Sequence, residues 1–138
     1  GDPGPQDGHG LSEAERRRIV ALIRAGSGPE ETVLVYGTRY ELAYRAERLP
    51  PHRFINLAVD EMGAGVPLAE AWLAEIDAAL AARPPAFVIL RRSVVEGPLT
   101  APRPAVPGAP VLERVTALIA TGYTPVFENA GFAVLKAP

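Results

Sequence analysis

Cysteine is absent from the 138 residues, which removes disulfides, thiolate zinc sites, iron–sulfur clusters and cysteine nucleophiles, and leaves the redox compartment open. Lysine occurs once, as Lys136, and histidine twice, as His9 and His52, too few for a histidine-built metal site. There is no surplus of positive charge either. Fourteen Lys plus Arg stand against sixteen Asp plus Glu, a formal net charge of -2, so the phosphate-tracking surface of a general nucleic-acid binder is missing. Apolar stretches are broken by Pro, Arg or Glu well before the roughly 20 residues that a membrane-spanning helix needs. The opening decapeptide has neither the basic nor the apolar region of a signal peptide. These absences describe a soluble chain.

What is present fits one globular domain: 48% of residues are hydrophobic and 22% charged, enough to bury a core of ordinary size. Thirteen glycines and fifteen prolines make up about a fifth of the chain, where roughly 12% is usual, so many sharp reversals are expected. Residues 1–11, rich in Gly, Pro and Asp, read as a flexible lead-in or linker, and 12–138 as a single α/β domain. The missing initiator Met suits a piece cut from a larger protein.

Ser12-Glu-Ala-Glu15 has the form of a capping box, and Ile19, Leu22 and Ile23 follow at helical spacing, predicting a helix that stops at Gly26. Its Arg16, Arg17 and Arg18 read as a solvated face. Thr32–Tyr36 is an unbroken β-branched and aromatic run of the kind buried on both faces of a parallel sheet. Glu41–Leu49 reads as a short helix stopped by Pro50-Pro51, and Arg53–Leu57 as a second strand. Pro67 suits a first helical position, and Leu68, Trp72, Ile76 and Leu80, widened by Leu73, predict the core stripe of the helix it opens. On that stripe Trp72 is a core residue and not a stacking platform. Ala86–Leu90 is a third apolar strand, and residues 96–110, with five prolines, read as an extended loop. Val111, Leu112, Val115, Leu118 and Ile119 predict another helix capped by Gly122, before a hairpin of 126–128 and 132–135 around Asn129-Ala-Gly131. This order predicts a three-layer Rossmann-like α/β domain, its sheet mostly parallel and edged by the C-terminal antiparallel hairpin.

In such a sheet ligands bind beyond the carboxyl ends of the strands. The candidate ligand-binding residues are therefore Gly37, Thr38, Arg39 and Tyr40 after the first strand, Asp60 and Glu61 after the second, and Arg91 and Arg92, followed by Ser93, after the third. Carboxylates near arginines suit a polar or phosphorylated ligand and equally form surface ion pairs. Tyr36-Gly-Thr-Arg-Tyr40 has one glycine and no lysine, so it is neither a dinucleotide fingerprint nor a Walker loop. No receiver-like acidic cluster has a lysine to serve it, and His52 has no nucleophile elbow. The reading assigns no catalytic residue, no metal and no cofactor.

Read as a whole, Thr32-Val-Leu-Val-Tyr-Gly37, Tyr40-Glu-Leu-Ala-Tyr44 and Arg48-Leu-Pro-Pro-His-Arg-Phe54 resemble a run in one kind of domain. It is the soluble C-terminal domain of GT-C-type bacterial membrane glycosyltransferases, the mannosyltransferase-like family that uses polyprenyl-phosphate sugars. Arg83-Pro-Pro-Ala-Phe-Val-Ile-Leu90, Gly122-Tyr123 and the final hairpin continue the likeness, which covers about residues 12 to 136. The resemblance implies an extracytoplasmic domain at the bacterial cell membrane. Its partners would be the transmembrane portion of the same parent chain and a glycan or lipid-linked acceptor. Catalysis would lie in the membrane portion, so no catalytic residue carries over. Gly37, Tyr40, Tyr44, Pro51, Arg53, Pro84, Pro85 and Tyr123 match the pattern as framework or acceptor-side contacts. The competing expectation is a free-standing Rossmann-like module that binds a small ligand or a protein.

Overall fold

The structure, a computed structural model, describes residues 10–38, 40–52, 67–94 and 109–138. The predicted strand 53–57 and nearly all of the predicted 96–110 loop lie outside those residues.

Helix α1 (Glu13–Gly26) begins with the expected box: the Ser12 hydroxyl accepts from the Glu15 amide at 3.1 Å, and the Glu15 carboxylate accepts from the Ser12 amide at 3.0 Å. Strand β1 (Val33–Tyr36) is buried throughout. Helix α2 (Glu41–Arg45) is shorter than predicted. Its continuation is broken by Glu47, whose φ of 58° is left-handed, and the Arg48 amide turns back to the Ala43 carbonyl.

Helix α3 (Pro67–Ala82) starts at Pro67, and of its predicted stripe Leu73 and Ile76 are buried, joined by Ala69. Leu68 is 51% exposed, while Trp72 and Leu80 flank the core. Strand β2 (Phe87–Arg91), a single turn at Arg92–Val94, helix α4 (Pro110–Ile119) and the hairpin β3 (Thr124–Glu128) and β4 (Phe132–Lys136) complete the described elements.

The sheet order is β1-β2-β4-β3. Among the described strands only β1 and β2 run parallel, with Tyr36 opposite Leu90; β2–β4 and β4–β3 are antiparallel. The expected Rossmann-like three-layer domain with a mostly parallel sheet is therefore overturned. The physical reason lies in β4, whose Phe132–Leu135 run is buried at every position because it is a central strand and not the edge of a parallel sheet. An edge falls to β3, whose register with β4 shifts between Pro125 and Phe127 and whose Thr124 and Glu128 face solvent.

Alternate strand residues feed two cores. Leu34, Tyr36, Val88, Leu90, Ala133 and Leu135 meet α3 and α4 on one face. Val33, Val35, Phe87, Ile89, Phe132 and Val134 meet α1 and α2 on the other. Among the described residues no helix is long and apolar enough to cross a membrane.

Candidate functional site

The carboxyl ends of β1 and β2 and the β3–β4 turn lie at one end of the sheet, because Arg91 pairs with Phe132 just after that turn. This end, the crest, is where several of the predicted site residues meet. Gly37 leaves β1 at φ 83°, a conformation that suits glycine, and Thr38 follows half-buried. Arg39, Asp60 and Glu61 lie outside the described residues.

Tyr40 stands at the start of α2, its ring 6.0 Å from that of Tyr44 and tilted by 34°. Burial, with a smaller contribution from Tyr44, pushes its phenol up to about 12. Tyr44 itself is 59% exposed.

Arg91 ends β2. The next residue is tied into the hairpin: the Arg92 amide donates to the Gly131 carbonyl at 2.8 Å, and its guanidinium lies 3.5 Å from Glu128. A partly exposed pair of this kind contributes little on its own.

Sequence reasoning missed the residue that organises the crest. The Asn129 side-chain oxygen accepts from the Gly131 and Phe132 amides at 2.8 and 2.7 Å, while its nitrogen donates to the Gly10 carbonyl at 3.1 Å and to Glu15 at 3.0 Å. One amide side chain thus closes the hairpin and fastens it to the capping box of α1. The readable signal was Asn two before Gly in a tight turn, where an Asx side chain bonds the backbone ahead of it.

Beside it α1 and α2 are joined by charge. Arg45 donates to Glu13 at 2.7 Å and lies 3.5 Å from Glu41, which is also 3.5 Å from Arg16. The hydrogen bond from Arg45 holds the exposed Glu13 carboxyl below its ordinary range. Arg16 is not the solvated residue expected: it is 8% exposed and donates to the Leu11 carbonyl at 3.0 Å. Arg17 is exposed, and Arg18 lies 5.7 Å from the centre of the Phe127 ring.

Two further features lie away from the crest. His52 sits 3.6 Å from Glu75 of α3. Between α3 and α4 runs an open groove of about 300 Å³, floored by Leu80, Ala81, Ala117 and Leu118. Arg114 closes its side by donating to Asp77 at 2.6 and 3.0 Å. Among the described residues no three His, Asp or Glu side chains gather as metal ligands.

No family model, curated protein or solved structure matches this chain.

Proposed function

We propose that the chain is the noncatalytic soluble extracytoplasmic domain of a polytopic bacterial membrane glycosyltransferase of the GT-C type, and that it helps acceptor binding or assembly. The observation that carries this reading is a single hydrogen bond. Tyr123 and Pro85 belong to two separate pieces of the resemblance, and the Tyr123 hydroxyl donates to the Pro85 carbonyl at 2.5 Å in the buried interior. Residues 38 positions apart that match the same pattern are thus one structural unit.

Two matching positions fit the same picture. Gly37 leaves β1 in a left-handed conformation that suits glycine, and Pro85 is buried beside Ala86 at the start of β2. Two charged pairs at or beside the crest, Arg92 with Glu128 and Arg45 with Glu13, are engaged with one another, which suits a framework role better than acid–base chemistry.

The test is an immunoblot of alkali-washed membranes from the source organism with an antibody against this domain. A band well above 14.6 kDa that stays in the pellet supports the reading. A band near 14.6 kDa in the soluble fraction overturns it and favours a free-standing ligand-binding module. In the same vein, the isolated domain is expected to transfer no sugar from a polyprenyl-phosphate donor, and turnover by the domain alone would refute its noncatalytic assignment.

A further inference from the structure

Around the crest the described carboxylates are already committed. Glu128 faces Arg92, Glu13 takes a hydrogen bond from Arg45, Glu41 lies beside Arg16 and Arg45, and Glu15 is held by the Ser12 amide and Asn129. Arg91 stands outside this exchange. It is partly buried, yet its guanidinium has no hydrogen bond, ion pair or ring contact with any described residue. A cation drawn partly out of water with its donors unmatched is costly, and an anion relieves that cost.

The sheet register fixes what stands next to it. Tyr36 lies beside Leu90, so the residues that follow, Gly37 and Arg91, are neighbours at the carboxyl ends of the parallel pair β1 and β2, where ligands bind in open α/β sheets. Phe132 is its partner on the other side. Phe87, Ile89 and Phe132 all belong to the core under α1 and α2, so alternation sets Arg91 on that face as well. Gly37 leaves the strand at φ 83° without a side chain, which lets an anion come close to the main chain. Thr38 repeats the condition of Arg91. It is half-buried, and neither its amide nor its hydroxyl has a partner among the described residues. The unpartnered side-chain atoms of both residues remain within reach of solvent.

We infer that Arg91, with Gly37 and Thr38, forms a binding site for a phosphoryl group at the crest, on the face covered by α1 and α2. The planar guanidinium fork grips two phosphate oxygens, and the Thr38 amide and hydroxyl supply further donors. A phosphoryl group brings three oxygens to these donors, where a carboxylate brings two. The neighbouring Arg92 cannot take this part, because it is tied to Glu128 and to the hairpin. The site does not depend on the glycosyltransferase reading, and its failure would leave that reading untouched.

The test is a titration of the ¹⁵N-labelled chain with inorganic phosphate, followed by NMR at ionic strength held constant with chloride. Saturable shifts centred on the Gly37 and Thr38 amides and the Arg91 Nε–H are expected. Arg91→Gln should weaken binding about tenfold or more, since it removes a charged, forked donor. Arg83→Gln, which removes an exposed arginine ahead of the other end of β2, should leave the affinity unchanged. Non-saturating shifts spread over several arginines mean an adventitious ion only and overturn the site, as does undiminished binding by folded Arg91→Gln. Should that variant not fold, the unaltered chain decides, because silent Arg91 and Thr38 signals refute the proposal. Phosphatidylcholine vesicles with and without phosphatidic acid separate two sources of the group. Pelleting with the acidic vesicles alone, lost in Arg91→Gln, assigns it to a lipid headgroup; saturation by phosphate without pelleting assigns it to a soluble ester.

Discussion

Asn129 satisfies four partners with one side chain, two amides of its own turn and two acceptors on the α1 entrance. Replacing it with alanine strands those partly buried groups, so Asn129→Ala is expected to lower stability by about 2 kcal/mol, read as a lower denaturant midpoint at unchanged slope. Asn129→Asp should do no better, because it keeps the acceptor but sets a carboxylate 3.0 Å from where Glu15 now receives a donor. A substitution that leaves the midpoint in place would mean that water replaces the side chain without loss. Gly26 makes a different demand. A Cβ there would stand 2.6 Å from Cζ of Phe87, a ring that is 1% exposed and has no room to retreat. Gly26→Ala should cost about 1–3 kcal/mol by overpacking, despite alanine's better helix propensity. Adding Phe87→Leu should recover part of that loss in a double-mutant cycle, and strict additivity of the two changes would contradict the clash.

The joints between elements divide into one that matters and one that does not. Arg48, 7% exposed, donates to the Ser27 hydroxyl and carbonyl and to the Ala46 and Glu47 carbonyls, all within 3.2 Å. It neutralises the exposed carbonyl ends of α1 and α2 and holds the left-handed Glu47 between them. Lysine lacks the planar fork, so Arg48→Lys should destabilise by about 1–3 kcal/mol although charge is conserved. Glu13→Gln, which breaks the exposed pair to Arg45, should leave the midpoint where it is. Equal effects from the two changes would refute this ranking. The same contrast shows what was legible in the sequence. The Ser12 box, Pro67 and the apolar strands could be read because the signals are local in the chain. The antiparallel seat of β4 between β2 and β3 was not legible, since a wholly apolar run says that a strand is central but not which way its neighbours point. The Arg48 cage and the Asn129 fastening depend on partners 21 and 114 to 119 residues away, separations at which no spacing rule operates.

Unfolding exposes both faces of the sheet at once, and each face carries a phenol whose ionisation is suppressed: Tyr123 in the core under α3 and α4, Tyr40 beside the core under α1 and α2. Burial pushes both up to about 12 from an ordinary value near 10, and for Tyr123 ionisation would also cost the donor that holds the Pro85 carbonyl. Between these values the folded chain keeps protons that the unfolded chain has released, so stability must fall as pH rises. The contribution is intact below about 10 and is lost progressively through about 12. Urea midpoints measured from pH 9 to 12 should therefore descend, and the two variants separate the causes. Tyr40→Phe should flatten part of the descent. Tyr123→Phe should flatten another part but start from a lower midpoint at neutral pH, because it also deletes the bond to Pro85. Should both variants descend as steeply as the parent, the alkaline loss would belong to other groups, and the joining of Tyr123 to Pro85 would lose its energetic support as the link between the two matching segments.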